Sequence, residues 1–305
     1  MTSSKHGSSK SASSKPLSSK PLSSKPSSSN KASAKKGPDD HRARKRFGQN
    51  FLVDPYIVSG IVAAINPQPD DHIVEIGPGL GVLTESLLPY VTAMDAIELD
   101  RDIIPKLAAN CSDKGQLQIH ATDALKFDFS SLAGDGRPLR IVGNLPYNIS
   151  TPLMFHLLEK HDVIKDMHFM LQKEVVDRLA ATPNSKSYGR LSVAMQYHCR
   201  VEALMDVPPE SFSPAPKVNS AVVRLVPYSK PPVAVDDVAL LNKLVTQAFS
   251  QRRKTLRNTL KPMMDVEQME ALGIDPKRRA ETLSLAEFAI LANAVSAASK
   301  NHSED

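Results

Sequence analysis

The tetrapeptide Asn144-Leu145-Pro146-Tyr147, within GNLPYN (143–148), combines residue types suited to a difficult acceptor. An exocyclic adenine amine is a poor nucleophile, because its lone pair is delocalised into the ring. The Asn144 side-chain oxygen and the Leu145 carbonyl can each accept a hydrogen bond from such an amine. That draws the nitrogen towards a pyramidal, nucleophilic state. Pro146 fixes its own φ and keeps Leu145 extended, which aims that carbonyl. The ring of Tyr147 can stack on an extruded base, an interaction worth roughly 1–3 kcal/mol. An isolated Asn-x-Pro-Tyr also suits an ordinary turn, so its surroundings decide.

Those surroundings include a second chemical signal. Residues 73–84 read IVEIGPGLGVLT, an apolar strand, a turn with Gly77, Gly79 and Gly81, and the start of a helix. Glycines let the backbone turn sharply and approach a ligand closely. The spacing is G-x-G-x-G, not the G-x-G-x-x-G of a nicotinamide site, and Pro78 removes an N–H that a pyrophosphate would use. A nucleoside without a pyrophosphate is favoured over a bare strand–helix turn. Glu98, 21 residues after Gly77 in AIELD, stands where an acidic side chain would hold ribose hydroxyls; the plain alternative is a surface carboxylate. Asp123 in QIHATDAL suits either an adenine amino group or the cap of a following helix. No Ser-His-Asp or metal constellation accompanies these residues.

The elements that must position them alternate in type. Strands are expected at His72–Glu75, Ala93–Glu98, Gln116–His120, Leu139–Val142 and Met167–Leu171. Helices are expected at Asp54–Ile65, Leu80–Leu88, Arg101–Asn110, Thr151–Lys160 and Lys173–Ala181. Strands separated by single helices imply βαβ units and a mostly parallel sheet. After Val201 the pattern turns to strand-loop-strand, with β-branched Ser220–Val226 as an antiparallel closing edge. Residues 235–298 read as helical, with Leu241, Leu244, Val245 and Ala248 on one stripe. The fold class is therefore α/β, Rossmann-like, with a small C-terminal helical domain.

Charge divides the chain differently. The net +5 is the sum of a strongly basic start and an acidic remainder. Residues 1–46 hold twelve Lys and Arg against two Asp, whereas the other 259 hold 26 basic and 31 acidic residues. Residues 1–36 are Ser/Lys/Pro-rich with repeated SSKPL, and have too little apolar surface to offset ordering. A disordered cationic arm is expected, either an inert tail or a weak RNA tether. The two cysteines, Cys111 and Cys199, lie far apart and indicate neither a disulfide framework nor a zinc site. With no apolar run near 18 residues and no apolar signal segment, a soluble cytoplasmic protein without membrane contact is expected.

The glycine turn, the acidic strand end and the acceptor turn together resemble class I S-adenosylmethionine-dependent methyltransferases. From about Arg44 to Ala298 the chain also resembles the ribosomal RNA adenine N6,N6-dimethyltransferases. The stretches that carry this include RKRFGQNFL (44–52), VEIGPGLG (74–81), IELDRD (97–102), GNLPYNISTPLMFHLL (143–158), MHFMLQKEVVDRL (167–179), PNSKSYGRLSV (183–193), PPESFSPAPKVNSAVVRLVP (208–227) and QRRKTLRN (251–258). The resemblance implies S-adenosylmethionine contacts at Asn50, Leu52, Gly77, Glu98, Asp123 and Asn144. It implies an adenine pocket from Asn144, Leu145, Pro146 and Tyr147, with Phe212 as a second aromatic. It further implies dimethylation of two adjacent adenosines near the 3′ end of the small-subunit 16S rRNA within a 30S assembly particle; a monomer is expected, and no metal, because the sulfonium is already an activated methyl donor. The corresponding division is an arm at 1–40, a catalytic domain at 41–229 and an RNA- or ribosome-binding helical domain at 230–305.

In QRRKTLRNTLK (251–261), Lys254, Arg257 and Lys261 fall at i, i+3 and i+7, one face of a helix. With Arg252 and Arg253, and no acid nearby in sequence, they suit phosphate contacts; a solvated face is the alternative. HRARKR (41–46) is a second basic candidate. Two rival functions share these features: an amino-methyltransferase acting on DNA adenine or a protein amide, and a non-catalytic 30S assembly factor.

Overall fold

The computed structural model describes residues 50–301. The 1–40 arm and the HRARKR segment lie outside the described residues. A seven-stranded sheet is built from β2 (His72–Ile76), β3 (Ala93–Ile97), β4 (Gln116–His120), β5 (Leu139–Asn144), β6 (Ile164–Gln172), β7 (Cys199–Val207) and β9 (Ser220–Pro227). A separate two-stranded ribbon pairs β1 (Phe51–Leu52) with β8 (Phe212–Ser213). The large sheet runs β4-β3-β2-β5-β6-β9-β7, parallel through β6 and antiparallel across β9 and β7. From β2 the chain first builds towards β4, then returns to place β5 on the other side. That reversal is the switch point at which open α/β sheets bind ligands.

Helix α1 (Pro55–Ile65) precedes β2, whereas α2 (Val82–Leu87), α3 (Ile104–Cys111) and α4 (Ser150–Leu158) link parallel strands, and α5 (Lys173–Leu179) and α6 (Arg190–His198) follow β6. Helix α1 starts where Asp54 accepts a hydrogen bond from the Tyr56 N–H at 2.9 Å and Pro55 fills the first helical position. Ile73, Val74, Ile141 and Val142 are fully buried, as apolar strands covered on both faces require. The C-terminal helices are α7 (Val238–Ala248), α8 (Leu256–Thr259), α9 (Val266–Ala271) and α10 (Leu285–Asn301). The expected stripe of Leu241, Leu244, Val245 and Ala248 is buried, and its core is completed by Tyr188, Val193 and Tyr197 from in and around α6. Among the described residues no helix is long and apolar enough to cross a membrane.

Several expectations need correction. Ser220–Val226 does not close the sheet: β9 lies between β6 and β7, and half-exposed β7 is the edge. The helix expected from Leu80 starts at Val82, because Gly81 takes φ +96° and ends the turn first. The strand expected over Met167–Leu171 extends to Ile164–Gln172, since it is paired on both sides. QRRKTLRNTLK is not one helix. The N–H groups of Leu256 and Arg257 donate to the carbonyls of Arg278 and Pro276, and only the four residues of α8 are helical. Tertiary hydrogen bonds override helical propensity here, so Lys254, Arg257 and Lys261 do not share a helical face.

Below the switch point, at the far end of the strands from the Gly-rich turn, Arg140 fastens four segments. Its guanidinium donates to Asp166 on β6 at 3.0 and 2.9 Å, to Asp71 at 2.6 Å, and to the Ile65 carbonyl ending α1 at 2.6 Å. Burial alone would raise the Asp71 carboxyl, but hydrogen bonds from Lys165 and Arg140 outweigh it and hold it below the usual range. Removing one member of such a cluster strands buried charge, which costs about 3–5 kcal/mol. Arg140→Ala is therefore expected to lower the urea midpoint sharply. Lys114→Ala, which breaks the exposed pair with Asp113, should change stability by less than about 0.5 kcal/mol. Equal midpoints for the two variants would contradict this account of the sheet.

Candidate active site

A cavity of about 650 Å³ opens at the carboxyl ends of β2, β3 and β5. Its walls hold Asn50, Leu52, Gly77, Glu98, Asp123, Asn144, Leu145, Pro146 and Tyr147, so the sequence-expected donor and acceptor residues meet around one space. The glycine turn forms one wall. Gly77 and Gly79 have φ of +67° and +59°, a region that side-chain-bearing residues rarely adopt. A Cβ on Gly79 would press on the Phe51 ring at 3.1 Å, so Phe51 lies against the turn. The two motifs are brought together by a tight approach of β2 and β5. A Cβ on Gly143 would lie 2.5 Å from the Ile76 carbonyl oxygen.

Four carboxylates, Glu75, Glu85, Glu98 and Asp123, line the cavity. Glu98 is 7% exposed, which removes the surface-carboxylate alternative. It accepts from the N–H of Asp100 at 2.8 Å and of Gly79 at 3.3 Å. Burial raises its carboxyl above the usual range, with those amides opposing. One oxygen of Asp123 accepts from the Leu125 N–H at 3.0 Å, so this side chain caps a turn while also lining the cavity. Glu75 was missed by the sequence reading, although a carboxylate inside the apolar run IVEI was a usable signal. It accepts from the Thr84 hydroxyl at 2.5 Å. Burial pushes its carboxyl up to about 7 despite that bond, and the charge of Glu98 adds to the rise. A buried, acid-lined wall beside an open glycine turn fits the ribose and amino groups of a nucleoside.

The acceptor side is anchored from several directions. The Asn144 amide nitrogen donates to the Asn50 carbonyl at 3.0 Å, which leaves its oxygen as the acceptor end. The Leu145 N–H donates to Met170 on β6 at 3.2 Å. The Tyr147 hydroxyl lies 2.8 Å from that of Ser220, a partner that no local motif announces. Phe212 is not among the residues lining the cavity. It is 4% exposed, in register with Leu52 across the β1–β8 ribbon.

The basic candidates lie elsewhere. Arg252 and Arg253, with Lys186, Arg279 and Glu281, border a second hollow of about 340 Å³. Lys186 and Arg279 were not singled out from sequence, because the fold alone brings the α5–α6 loop to the C-terminal segment. The absence of acids near QRRK in sequence does not extend to space: Glu281 lies 3.4 Å from Arg252, which also donates to the Lys186 carbonyl. Lys254, Arg257 and Lys261 are exposed.

A cavity at the strand switch point, walled by a glycine turn and an Asn-Leu-Pro-Tyr turn, is the arrangement of a Rossmann-like, S-adenosylmethionine-dependent methyltransferase. Residues 40–296 match the family described as ribosomal RNA adenine dimethylase. A ribosomal RNA small subunit methyltransferase A of Pseudomonas aeruginosa is 57% identical over 253 residues, covering 83% of this chain and 94% of that protein. One of Yersinia pestis is 56% identical over 260 residues, covering 85% and 96%. A crystal structure of a dimethyladenosine transferase from Plasmodium falciparum superposes with a TM-score of 0.67 at 26% identity, over 79% of this chain and 95% of that one. The 23S rRNA methyltransferase ErmE shares the fold, with a TM-score of 0.64 at 22% identity, over 81% and 100%. The chain belongs to the ribosomal RNA adenine dimethylase family.

The raised Glu75 carboxyl has a pH consequence. Between about pH 4.5 and 7 the unfolded chain ionises this group while the folded protein keeps it protonated. Its contribution to stability therefore falls as pH rises through that window, by roughly 3 kcal/mol in all. Glu75→Gln should gain stability relative to the native sequence as pH rises from 4.5 to 7.5, measured as the difference between their urea midpoints. A difference that stays constant with pH would show that the carboxyl titrates normally.

Proposed function

We propose that the cavity binds the methyl donor against Gly77, Glu98, Asp123, Asn50 and Leu52, and receives one extruded adenine at a time against Asn144–Tyr147. The observation that carries this reading is that both sets of residues line one cavity, with the Asn144 amide nitrogen tied to the Asn50 carbonyl. S-adenosylmethionine supplies a methyl group already activated on its sulfonium, so the reading calls for no metal. Glu98 accepts from ribose hydroxyls and Asp123 from the adenine amino group of that cofactor. Asn144 Oδ1 and the Leu145 carbonyl accept from the N6 hydrogens of the target base, and Tyr147 stacks on its ring. Phe212 is the second aromatic in this reading, although here it is buried opposite Leu52 and does not line the cavity. Alignment of the two reactants does most of the work, as expected when the leaving group needs no assistance.

The substrate in this reading is a pair of adjacent adenosines near the 3′ end of 16S rRNA within a 30S assembly particle, each converted to N6,N6-dimethyladenosine. Its support is the family together with the small-subunit enzymes that the chain resembles over most of its length. Residues 41–229 carry the chemistry, and 230–305 face the particle through Arg252, Arg253, Lys254, Arg257 and Lys261. The protein acts as a cytoplasmic monomer, with the 1–40 arm at most an auxiliary tether. Binding through these cations should weaken as salt rises.

The test offers radiolabelled S-adenosylmethionine with undermethylated 30S particles, naked rRNA and duplex DNA. Label is expected in the particles, and label found only in DNA would contradict the reading. Asn144→Ala should abolish transfer while leaving particle sedimentation with the protein intact. Unchanged transfer would refute the role given to Asn144, and a native protein that binds particles without ever labelling them would favour a non-catalytic assembly factor.

A further inference from the structure

We infer that Ser220 is a positioning residue that holds the Tyr147 ring in place and thereby governs completion of the second methylation. The inference rests on the reading that Tyr147 stacks on the target base. Ser220 is fully buried at the start of β9, held in register with Gln172 of β6 and Val207 of β7. Its hydroxyl is 2.8 Å from the Tyr147 hydroxyl, at the far end of the ring. The near end is fixed as well. Pro146 restricts the backbone before it, and the Ser150 hydroxyl donates to the Tyr147 carbonyl at 3.2 Å. A ring pinned at both ends forms a wall of set position along the cavity. Holding it there before the base arrives removes an ordering cost from binding.

This fixation matters unequally for the two transfers. An unmodified adenine amine has two N–H groups, one for Asn144 Oδ1 and one for the Leu145 carbonyl. After the first transfer a single N–H remains, so one of the two acceptors loses its partner. The monomethylated base is then held by one hydrogen bond fewer, and its alignment depends more heavily on the stacked ring. Loosening the ring should therefore slow the second transfer more than the first. Loss of a hydrogen-bonded anchor of this kind corresponds to roughly a five- to tenfold change.

The experiment compares Ser220→Ala, Tyr147→Phe and the double variant on undermethylated 30S particles, with N6-methyl- and N6,N6-dimethyladenosine quantified by mass spectrometry over time. Tyr147→Phe breaks the same bond from the cavity side without touching the buried position, so the test stands even if Ser220→Ala folds poorly. Each single variant should accumulate monomethyladenosine, with the second step slowed roughly five- to tenfold and the first changed far less. The double variant should be no worse than either single one, because both remove one interaction. An unchanged product ratio, equal slowing of both steps, or additive effects in the double variant would each overturn the inference. Tyr147→Ala separates the two layers of the argument. If it methylates normally, the stacking reading fails; if it is inactive while Ser220→Ala has a normal product ratio, only the role of Ser220 fails.

Discussion

The backbone of β5 passes β2 so closely at Gly143 that a methyl group there would overlap the Ile76 carbonyl, at 2.5 Å. This contact lies at the strand switch point, one residue before Asn144 and one before Gly77. It sets the glycine turn and the acceptor turn side by side, and the rest of the site follows from that placement. The parallel register, Glu75 opposite Val142, sends both chains out of the sheet at the same level. A bulkier residue would push the strands apart and separate the two halves of the cavity. The β1–β8 ribbon then closes the space from outside, since Asn50 precedes β1 and reaches the Asn144 amide.

The sheet handles charge in opposite ways at its two ends. At the lower end, Arg140 meets Asp71 and Asp166 in a cluster where each buried charge has a partner. At the upper end, Glu75 and Glu98 are buried without a cationic partner among the described residues, and burial raises both carboxyls. Amides and a hydroxyl supply hydrogen bonds there, but not compensating charge. The contrast is consistent with a lower end that serves stability and an upper end kept acidic for a polar, hydroxyl-bearing ligand.

What could be read from the sequence was whatever is encoded locally. The β2–turn–α2 segment, the acidic end of β3 and the Asn-Leu-Pro-Tyr turn are each short runs whose residue types determine their own conformation. Pairings between distant segments were not legible. Asn50 with Asn144 spans 94 residues, and Tyr147 with Ser220 spans 73. Nothing in either neighbourhood signals its partner. The same holds for β9, whose β-branched run announces a strand but not its place inside β7. The basic segment at 251–261 misled for a related reason: its charges have helical spacing, yet its backbone N–H groups are claimed by residues 276 and 278. Phe212, expected beside the acceptor turn as a second aromatic, is instead buried in the β1–β8 ribbon opposite Leu52, a register that no motif encodes.

The central claim is that donor and acceptor occupy one continuous cavity. It is tested most directly by the dissociation constant of a bisubstrate compound in which adenosine N6 is joined through a short linker to the sulfur position of S-adenosylhomocysteine. If both halves fit the same cavity, the second engages as an intramolecular event. The compound should then bind roughly a hundredfold or more tightly than S-adenosylhomocysteine alone. Affinity no greater than that of S-adenosylhomocysteine would mean that the adenine half finds no site beside the cofactor, and would contradict the account.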